Sequence, residues 1–401
     1  MDERHNRSRM IDGLRGFSLL GILMANMLIF QYGIWGKDEL ELYSPTLTDT
    51  FVHKLVKVLI EGSFMPIFTF MFGYGMMKMK ESLESKGLKP KRYLSRRFLL
   101  LLAIGLLHSH FLWEGDILGF YGMMGFFLLL FVNRKPKTLL VWGTLLLCLF
   151  GLLGLAPEDA ADPASIEAQA RMEAYVKQTI SVYGTGTYEE IMHHRESEDP
   201  LGEDSILIVA VLLIAPFMTA PLFLFGMYAA RKRWFDQLEN ERTSYLVKML
   251  LFLPAGIVLK TLKHLFPGYW WSGAGELLGG NLLALGYIFA FAWLCSRVKS
   301  TVWLPRFEAV GKLSLTNYLI QSVICTTLFY GYGFGWFGKL GVLAGCGAAL
   351  AVYVIQLLAS PLYLTRFRSG PLERLLRMWT YFSFTGKPKR PKMPVAAELE
   401  G

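Results

Sequence analysis

Apolar residues along this chain come in long, nearly unbroken runs separated by short polar clusters, with no strand-like alternation. The first run, 17–34, is long enough to cross a hydrocarbon core as a helix. Taken throughout, the pattern predicts about ten spans, at 14–34, 55–77, 97–113, 116–133, 138–155, 205–229, 244–264, 273–296, 309–330 and 337–360. The third is the shortest, with Trp113 at its interfacial end. Lys54, Lys57 and Glu61 interrupt the second, whose first half reads as an amphipathic approach to an apolar 64–77. The stretch 157–204 is too polar to span and too long for a simple connection, and 164–183 within it suits a helix. The expected fold is therefore all-α and polytopic, one integral membrane domain over 1–401 with a small external helical loop at 157–204. The segment 361–401 reads as a cytoplasmic amphipathic piece, from Leu372 to Thr380 lying along the inner surface, followed by a basic tail.

Charge orients this scheme. Arg4, Arg7 and Arg9 precede the first span, and a run of lysines and arginines from Lys78 to Arg97 separates the second from the third. Further basic clusters follow the fourth, sixth and eighth spans and end the chain, so all fall on one side if ten spans alternate. The opposite loops are acidic or aromatic: 157–204 carries twelve acidic residues against Arg171, Lys177 and Arg195. Basic loops stay inside, so both termini are expected in the cytoplasm.

Composition agrees with the pattern. The chain is 53% hydrophobic and only 18% charged, where soluble domains carry about a quarter charged residues. Its net charge of +9 thus reflects inner loops, and no nucleic-acid partner is expected; membrane lipids are. Cys148, Cys295, Cys325 and Cys346 all lie in apolar runs without paired spacing, so neither a disulfide framework nor a metal site is expected.

Candidate chemistry comes from polar groups that lipid would not tolerate. Asp12 and Arg15 share a helix face at the head of the first span, and Asn26 lies on nearly the same face about three turns deeper. They read either as an interfacial anchor with an interhelical hydrogen bond or as a ligand site. His108 lies near the far end of the third span, followed by Glu114 and Asp116 in a tight turn. A histidine beside a carboxylate suits general-base work; a single hydrogen bond to a neighbouring helix would equally occupy it. His108 and His110 point to different faces, which makes them a poor chelating pair. His53 stands at the outer mouth of the second span, above Glu61. Glu276 and Asn281 sit among glycines in the eighth span, and Asn317 and Gln321 share a face of the ninth. Arg366 and Arg368 join Arg15 in a basic inner zone that suits phosphate groups or anionic headgroups alike.

Several blocks resemble the YeiB-like family of bacterial inner-membrane proteins, whose domain has no assigned function: Asp12-Gly-Leu-Arg15-Gly16-Phe, Met71-Phe72-Gly73-Tyr-Gly75, Gly105-Leu-Leu-His108 running to Gly115-Asp116-Ile117-Leu118, Gly311-Lys-Leu-Ser-Leu-Thr-Asn317-Tyr318-Leu-Ile-Gln321-Ser322, Phe329-Tyr330-Gly331-Tyr-Gly333, and Phe367-Arg-Ser-Gly370-Pro371-Leu-Glu373. Asp12, Arg15-Gly16, Asn26 and the aromatic second span around Pro66 are more distantly similar to transmembrane acyltransferases of the heparan-α-glucosaminide N-acetyltransferase type. That resemblance implies acetyl-CoA as a cytosolic co-substrate, an acceptor on the other side, and a histidine before the second span. His53 is nearest to that place but departs slightly in its spacing to Pro66, and the YeiB-like blocks favour His108; both stay open.

Three functions are consistent with these residues. The first is an acyl-CoA-dependent transfer to an extracytoplasmic glycan, lipid-linked or small-molecule hydroxyl or amine, with no tightly bound cofactor. Arg15, Arg366 and Arg368 would hold coenzyme phosphates, with Asp12 and Asn26 in the same site. His108 or His53 would act as base with Asp116 orienting it, and Asn26, Asn317 or Gln321 would stabilise the oxyanion. Glu276, Asn281, Asn317 and Gln321 would face substrate. The second is a solute transporter or lipid exporter, which the lack of an internal repeat disfavours. The third is a non-catalytic membrane scaffold or sensor. Each accommodates an oligomer.

Overall fold

In the structure, a computed structural model, residues 3–155, 163–198, 205–266, 268–297 and 302–388 are described. Two ends of the expected external loop, 157–162 and 199–204, and the tail beyond 388 lie outside them. All regular structure among the described residues is helical: α1 (Glu3–Tyr32), α2 (Leu47–Leu59), α3 (Phe64–Glu84), α4 (Pro90–Phe111), α5 (Leu118–Leu128), α6 (Pro136–Leu153), α7 (Pro163–Thr185), α8 (Tyr188–Ser197), α9 (Ser205–Arg231), α10 (Arg242–Leu265), α11 (Ser272–Arg297), α12 (Trp303–Lys312), α13 (Ser314–Phe329), α14 (Val342–Arg366) and α15 (Pro371–Tyr381).

Six helical stretches among the described residues are long and apolar enough to cross a membrane: Arg9–Tyr32, Leu47–Glu84, Pro136–Leu153, Arg242–Leu265, Ser272–Arg297 and Val342–Arg366. The other expected spans fall on α4, α5, α9 and the α12–α13 pair. The stripe Leu343, Leu350, Val354, Leu358 and Leu362 of α14 is exposed, while Gly345, Ala349, Val352, Tyr353 and Gln356 on its other side are buried. An apolar stripe left outside and a close-packed one inside is what lipid as solvent demands. The protein is a polytopic helical membrane protein.

Three expected spans depart from straight helices. The second breaks between α2 and α3, where Gly62 takes φ +67° and the ammonium of the buried Lys260 donates to the Glu61 carbonyl and, at 3.3 Å, to the Ser63 hydroxyl. The fourth is helical only over Leu118–Leu128 and continues as turns. The ninth breaks at Leu313, where Glu373 of α15 accepts from the Leu315 and Thr316 amides at 2.8 and 3.0 Å and from the Thr316 hydroxyl at 2.6 Å. A broken helix at membrane depth leaves amides or carbonyls unpaired, and here a distant charged side chain satisfies them. Glycines set the closest crossing: a Cβ on Gly16 would lie 2.0 Å from the Phe307 carbonyl oxygen, and one on Gly311 would lie 1.8 Å from that of Asp12. Thus α1 and α12 meet backbone to backbone, and Tyr353 donates to the Gly16 carbonyl at 2.6 Å across the same seam.

Two ends of the bundle differ. The start of α1, the α3–α4 turn and α15 occupy one; α7 and α8 form a helical cap over the other. Thr187 and Glu190 start α8 with a capping box. The amphipathic α15, expected along the membrane surface, docks its Leu376 face and packs on α4 and α13.

Candidate functional site

A cavity of about 600 Å³ opens into the bundle at the end where α1 begins. Its mouth is cationic, with Arg15, Arg97, Lys312, Arg368 and Arg377 all in the lining, set against Asp12 and Glu373. Both carboxylates are engaged: Asp12 accepts from Arg15 at 3.1 Å, and Glu373 caps α13. Lys312 pairs with Glu308 at 2.7 Å, while Arg97, Arg368 and Arg377 have no ion pair among the described residues. The mouth therefore carries excess positive potential, focused by the low-dielectric walls around it.

Deeper in, the walls turn apolar. One face of α3 contributes Phe68, Met71, Phe72, Gly75, Met76 and Met79, and α1 contributes Leu19 and Ile22 on the stripe that began with Asp12 and Arg15. Spacings of three and four residues put each set on a single helix face. Asn26 is the next residue on the α1 stripe but does not line the cavity; it is half-buried and makes no hydrogen bond among the described residues.

At the deep end stand Ile117, Tyr121 and Tyr318. The Tyr121 hydroxyl is buried without a partner among the described residues, and the Tyr318 ring centroid lies 5.6 Å from that of His108. Here His108 and Asp116 meet: Nδ1 is 2.8 Å from Oδ1, with side chains 1% and 2% exposed. The second Asp116 oxygen accepts from the Gly119 amide at 2.9 Å. Glycine brings the pair together, since a Cβ at Gly105 would lie 1.9 Å from the Gly119 nitrogen and 2.7 Å from Asp116 Oδ2. A carboxylate oxygen only accepts, so the shared proton sits on Nδ1, and in the neutral imidazole Nε2 is the acceptor. That Nε2 is buried and has no partner among the described residues.

Glu114, two residues earlier, goes to the cap instead. It takes Arg195 Nε at 2.6 Å and the Tyr183 hydroxyl at 2.8 Å. Arg195 also donates to the Ser109 carbonyl at 2.6 Å, and Tyr188 to that of Phe111 at 2.8 Å, so the cap seals the outer end of α4. Between cap and α1 a smaller cavity of about 190 Å³ is lined by Trp35, Glu114, Tyr175, Arg195 and Glu198.

The remaining sequence candidates lie elsewhere or are already occupied. His53 stands on α2, which packs against α10 and α14, and its Nε2 is 3.0 Å from the Lys37 carbonyl. Nearby, Lys37 and Lys57 are shared by Asp38 and Glu61. Burial opposes ionisation of Asp38, but the two ammonium groups outweigh it and hold its carboxyl below the usual range. Glu276 pairs with Lys263 across α10 and α11, and the Asn281 amide donates to the Leu277 carbonyl of its own helix at 2.9 Å. Asn317 donates to the Ser360 hydroxyl at 3.1 Å and the Val310 carbonyl at 3.3 Å, and Gln321 to Gln356 at 2.8 Å. These two amides hold α13 to α14. Arg368 lines the cavity; Arg366, at the end of α14, is exposed and does not.

Sequence reasoning did not assign Tyr121, Tyr318, Lys312, Arg377 or Glu373 to a site. Periodicity carried a signal for Tyr318: spacings of three and four residues put it on one face with Ser314 and Leu315, adjoining the face of Asn317 and Gln321.

The family described as "Protein of unknown function (DUF418)" matches residues 229–383, which include Lys312, Tyr318, Arg368 and Arg377 of the cavity. Two relatives extend the match to α1 and α4. "Uncharacterized protein YxaH" of Bacillus subtilis (strain 168) is 32% identical over 97% of this chain and 98% of its own length. "Uncharacterized protein YeiB" of Escherichia coli (strain K12) is 28% identical over 93% and 96%. No solved structure matches the chain. Matching blocks at both ends of the fold, together with that end-to-end relative, place this chain in the YeiB-like DUF418 family.

Proposed function

We propose that this protein is a transmembrane acyltransferase, taking an acyl group from acyl-CoA at the cytoplasmic end of the bundle and passing it to a hydroxyl or amine from the other side. One observation carries the reading: a cationic mouth leads along an apolar wall to Tyr121 and Tyr318, and the Tyr318 ring lies against a buried histidine–aspartate pair whose Nε2 has no partner among the described residues. Coenzyme phosphates suit Arg15, Arg97, Arg368 and Arg377, where a guanidinium fork can bind them bidentately. The pantetheine arm and thioester then occupy the stretch along α3 and end at Tyr121.

Chemistry at that point is a proton transfer coupled to acyl exchange. His108 Nε2 takes the proton of the acceptor O–H or N–H as its heteroatom bonds to the thioester carbon. The developing oxyanion needs a donor, and the unpartnered Tyr121 hydroxyl is nearer the cavity than Asn317 or Gln321, whose amides serve α14. When the C–S bond breaks, the leaving thiolate recovers the proton from Nε2, giving acylated acceptor and free coenzyme A. Tyr318 stands between cavity and imidazole, so this mechanism requires its ring to move aside before the thioester meets Nε2. Asp116 keeps the ring in the basic tautomer throughout.

Calorimetry of acetyl-CoA with the detergent-purified protein tests this. Saturable binding in wild type and His108→Ala, and its loss in Arg15→Ala, is the expected result. No binding of acetyl-CoA or longer acyl-CoAs to well-folded protein would overturn the proposal and turn attention to transport.

A further inference from the structure

Gly73 and Gly75 stand two residues apart on α3, and packing explains only the first. A Cβ at Gly73 would lie 2.1 Å from the Phe223 carbonyl oxygen of α9, so any side chain there drives two helices apart. At Gly75 a Cβ would meet nothing within 4 Å, and the residue is not among the glycines with positive φ. Neither backbone nor neighbour requires glycine, although in a helix interior it is destabilising relative to alanine. Nor does the open space belong to lipid. Gly75 lines the 600 Å³ cavity, with Met71 and Met79 one turn to either side on the same face and Phe72 and Met76 beside it. Gly347 also meets nothing, but it is exposed on α14 and has no cavity before it.

We infer that Gly75 is a clearance position, where the body of the bound ligand lies against the bare backbone of α3, midway between the cationic mouth and the tyrosine end. The absence of a side chain widens the cavity at its waist, and the unbranched methionines above and below adapt their shape to what passes. The occupant is a slender, flexible arm carrying an anionic head. This deepens the acyl-CoA reading and rests on it: Gly75 is the residue that sets how wide a donor the cavity admits.

Two measurements on the full-length protein test the inference. Acetyl-CoA calorimetry on Gly75→Leu is expected to show affinity at least tenfold weaker, with a melting temperature equal to or above that of wild type. Gly75→Ala should melt higher, since the helix gains and nothing is crowded. Wild-type affinity in a folded Gly75→Leu would overturn the inference. Separately, Gly75→Cys is treated with an anionic methanethiosulfonate reagent and read by mass spectrometry of the peptide containing position 75. Modification that acetyl-CoA slows at least tenfold is expected. No modification would overturn the clearance role whatever the donor is, and modification without protection would remove the ligand from this path. If wild type bound no acyl-CoA, the donor reading would fall, while labelling at position 75 would still decide whether α3 is open to the cavity.

Discussion

At the scale of single residues, the proposed chemistry rests on the His108–Asp116 pair, and one atom of it can be tested. The Asp116 carboxylate accepts twice, from His108 Nδ1 and from the Gly119 amide. In Asp116→Asn the amide oxygen stays with the Gly119 N–H, which leaves the NH2 group facing Nδ1. The imidazole must then put its proton on Nε2, and the base becomes a donor. Acetyl transfer, followed as release of the coenzyme A thiol, should fall by about 10⁴-fold while acetyl-CoA binding is kept, by analogy with the same change in a serine-protease triad. Undiminished turnover would show that His108 is not the base in this tautomer. This pairing was partly legible in the sequence. A helix ending near His108 and a short turn holding Glu114 and Asp116 bring both carboxylates close, and the sequence reading already gives the orienting role to Asp116. The structure gives Asp116 to His108 and Glu114 to Arg195 of the cap. Asn317 and Gln321 show the opposite limit. An amide on an intramembrane face looks the same whether it binds a ligand or a neighbouring helix, and only Ser360 and Gln356 on α14 decide between them.

At the scale of elements, the site depends on helices that touch without side chains between them. Asp12 and Arg15 are held at the mouth because α1 crosses α12 at Gly16 and Gly311, each facing a carbonyl oxygen of the other helix. Gly16→Ala and Gly311→Ala should each cost about 1–3 kcal/mol, the usual range for overpacking, read as earlier thermal unfolding in detergent. Gly347→Ala, with nothing near it, is the control and should be neutral or slightly stabilising. Equal stability of all three would mean that the α1–α12 seam can open at little cost. Hydropathy foresaw the helices better than their interruptions. The α2–α3 break left a trace in Lys57 and Glu61. The break at Leu313 left none, because the residue there is apolar and the group that satisfies the new helix end, Glu373, arrives 58 residues later than Leu315.

At the scale of the whole molecule, function turns on which end of the bundle faces the cytoplasm. Basic loops, the cationic cavity mouth and the start of α1 share one end, and the cap with its acidic surface lies at the other. On the proposed reading, the preference of lysine and arginine for the inner side of short loops puts the mouth inside, where acyl-CoA is made. A membrane-impermeant thiol reagent applied to intact cells should therefore modify Glu189→Cys on the exposed start of α8, and reach Ser85→Cys at the exposed α3–α4 turn only after permeabilisation. Modification in the reverse order would place the mouth outside. The arginines could then no longer draw on a cytoplasmic coenzyme, and the same cavity would have to take its anionic ligand from the envelope. Charge distribution, cavity polarity and the buried base are thus tied to one geometric fact, because an acyl group crosses the membrane through this fold only if donor and acceptor reach His108 from opposite ends.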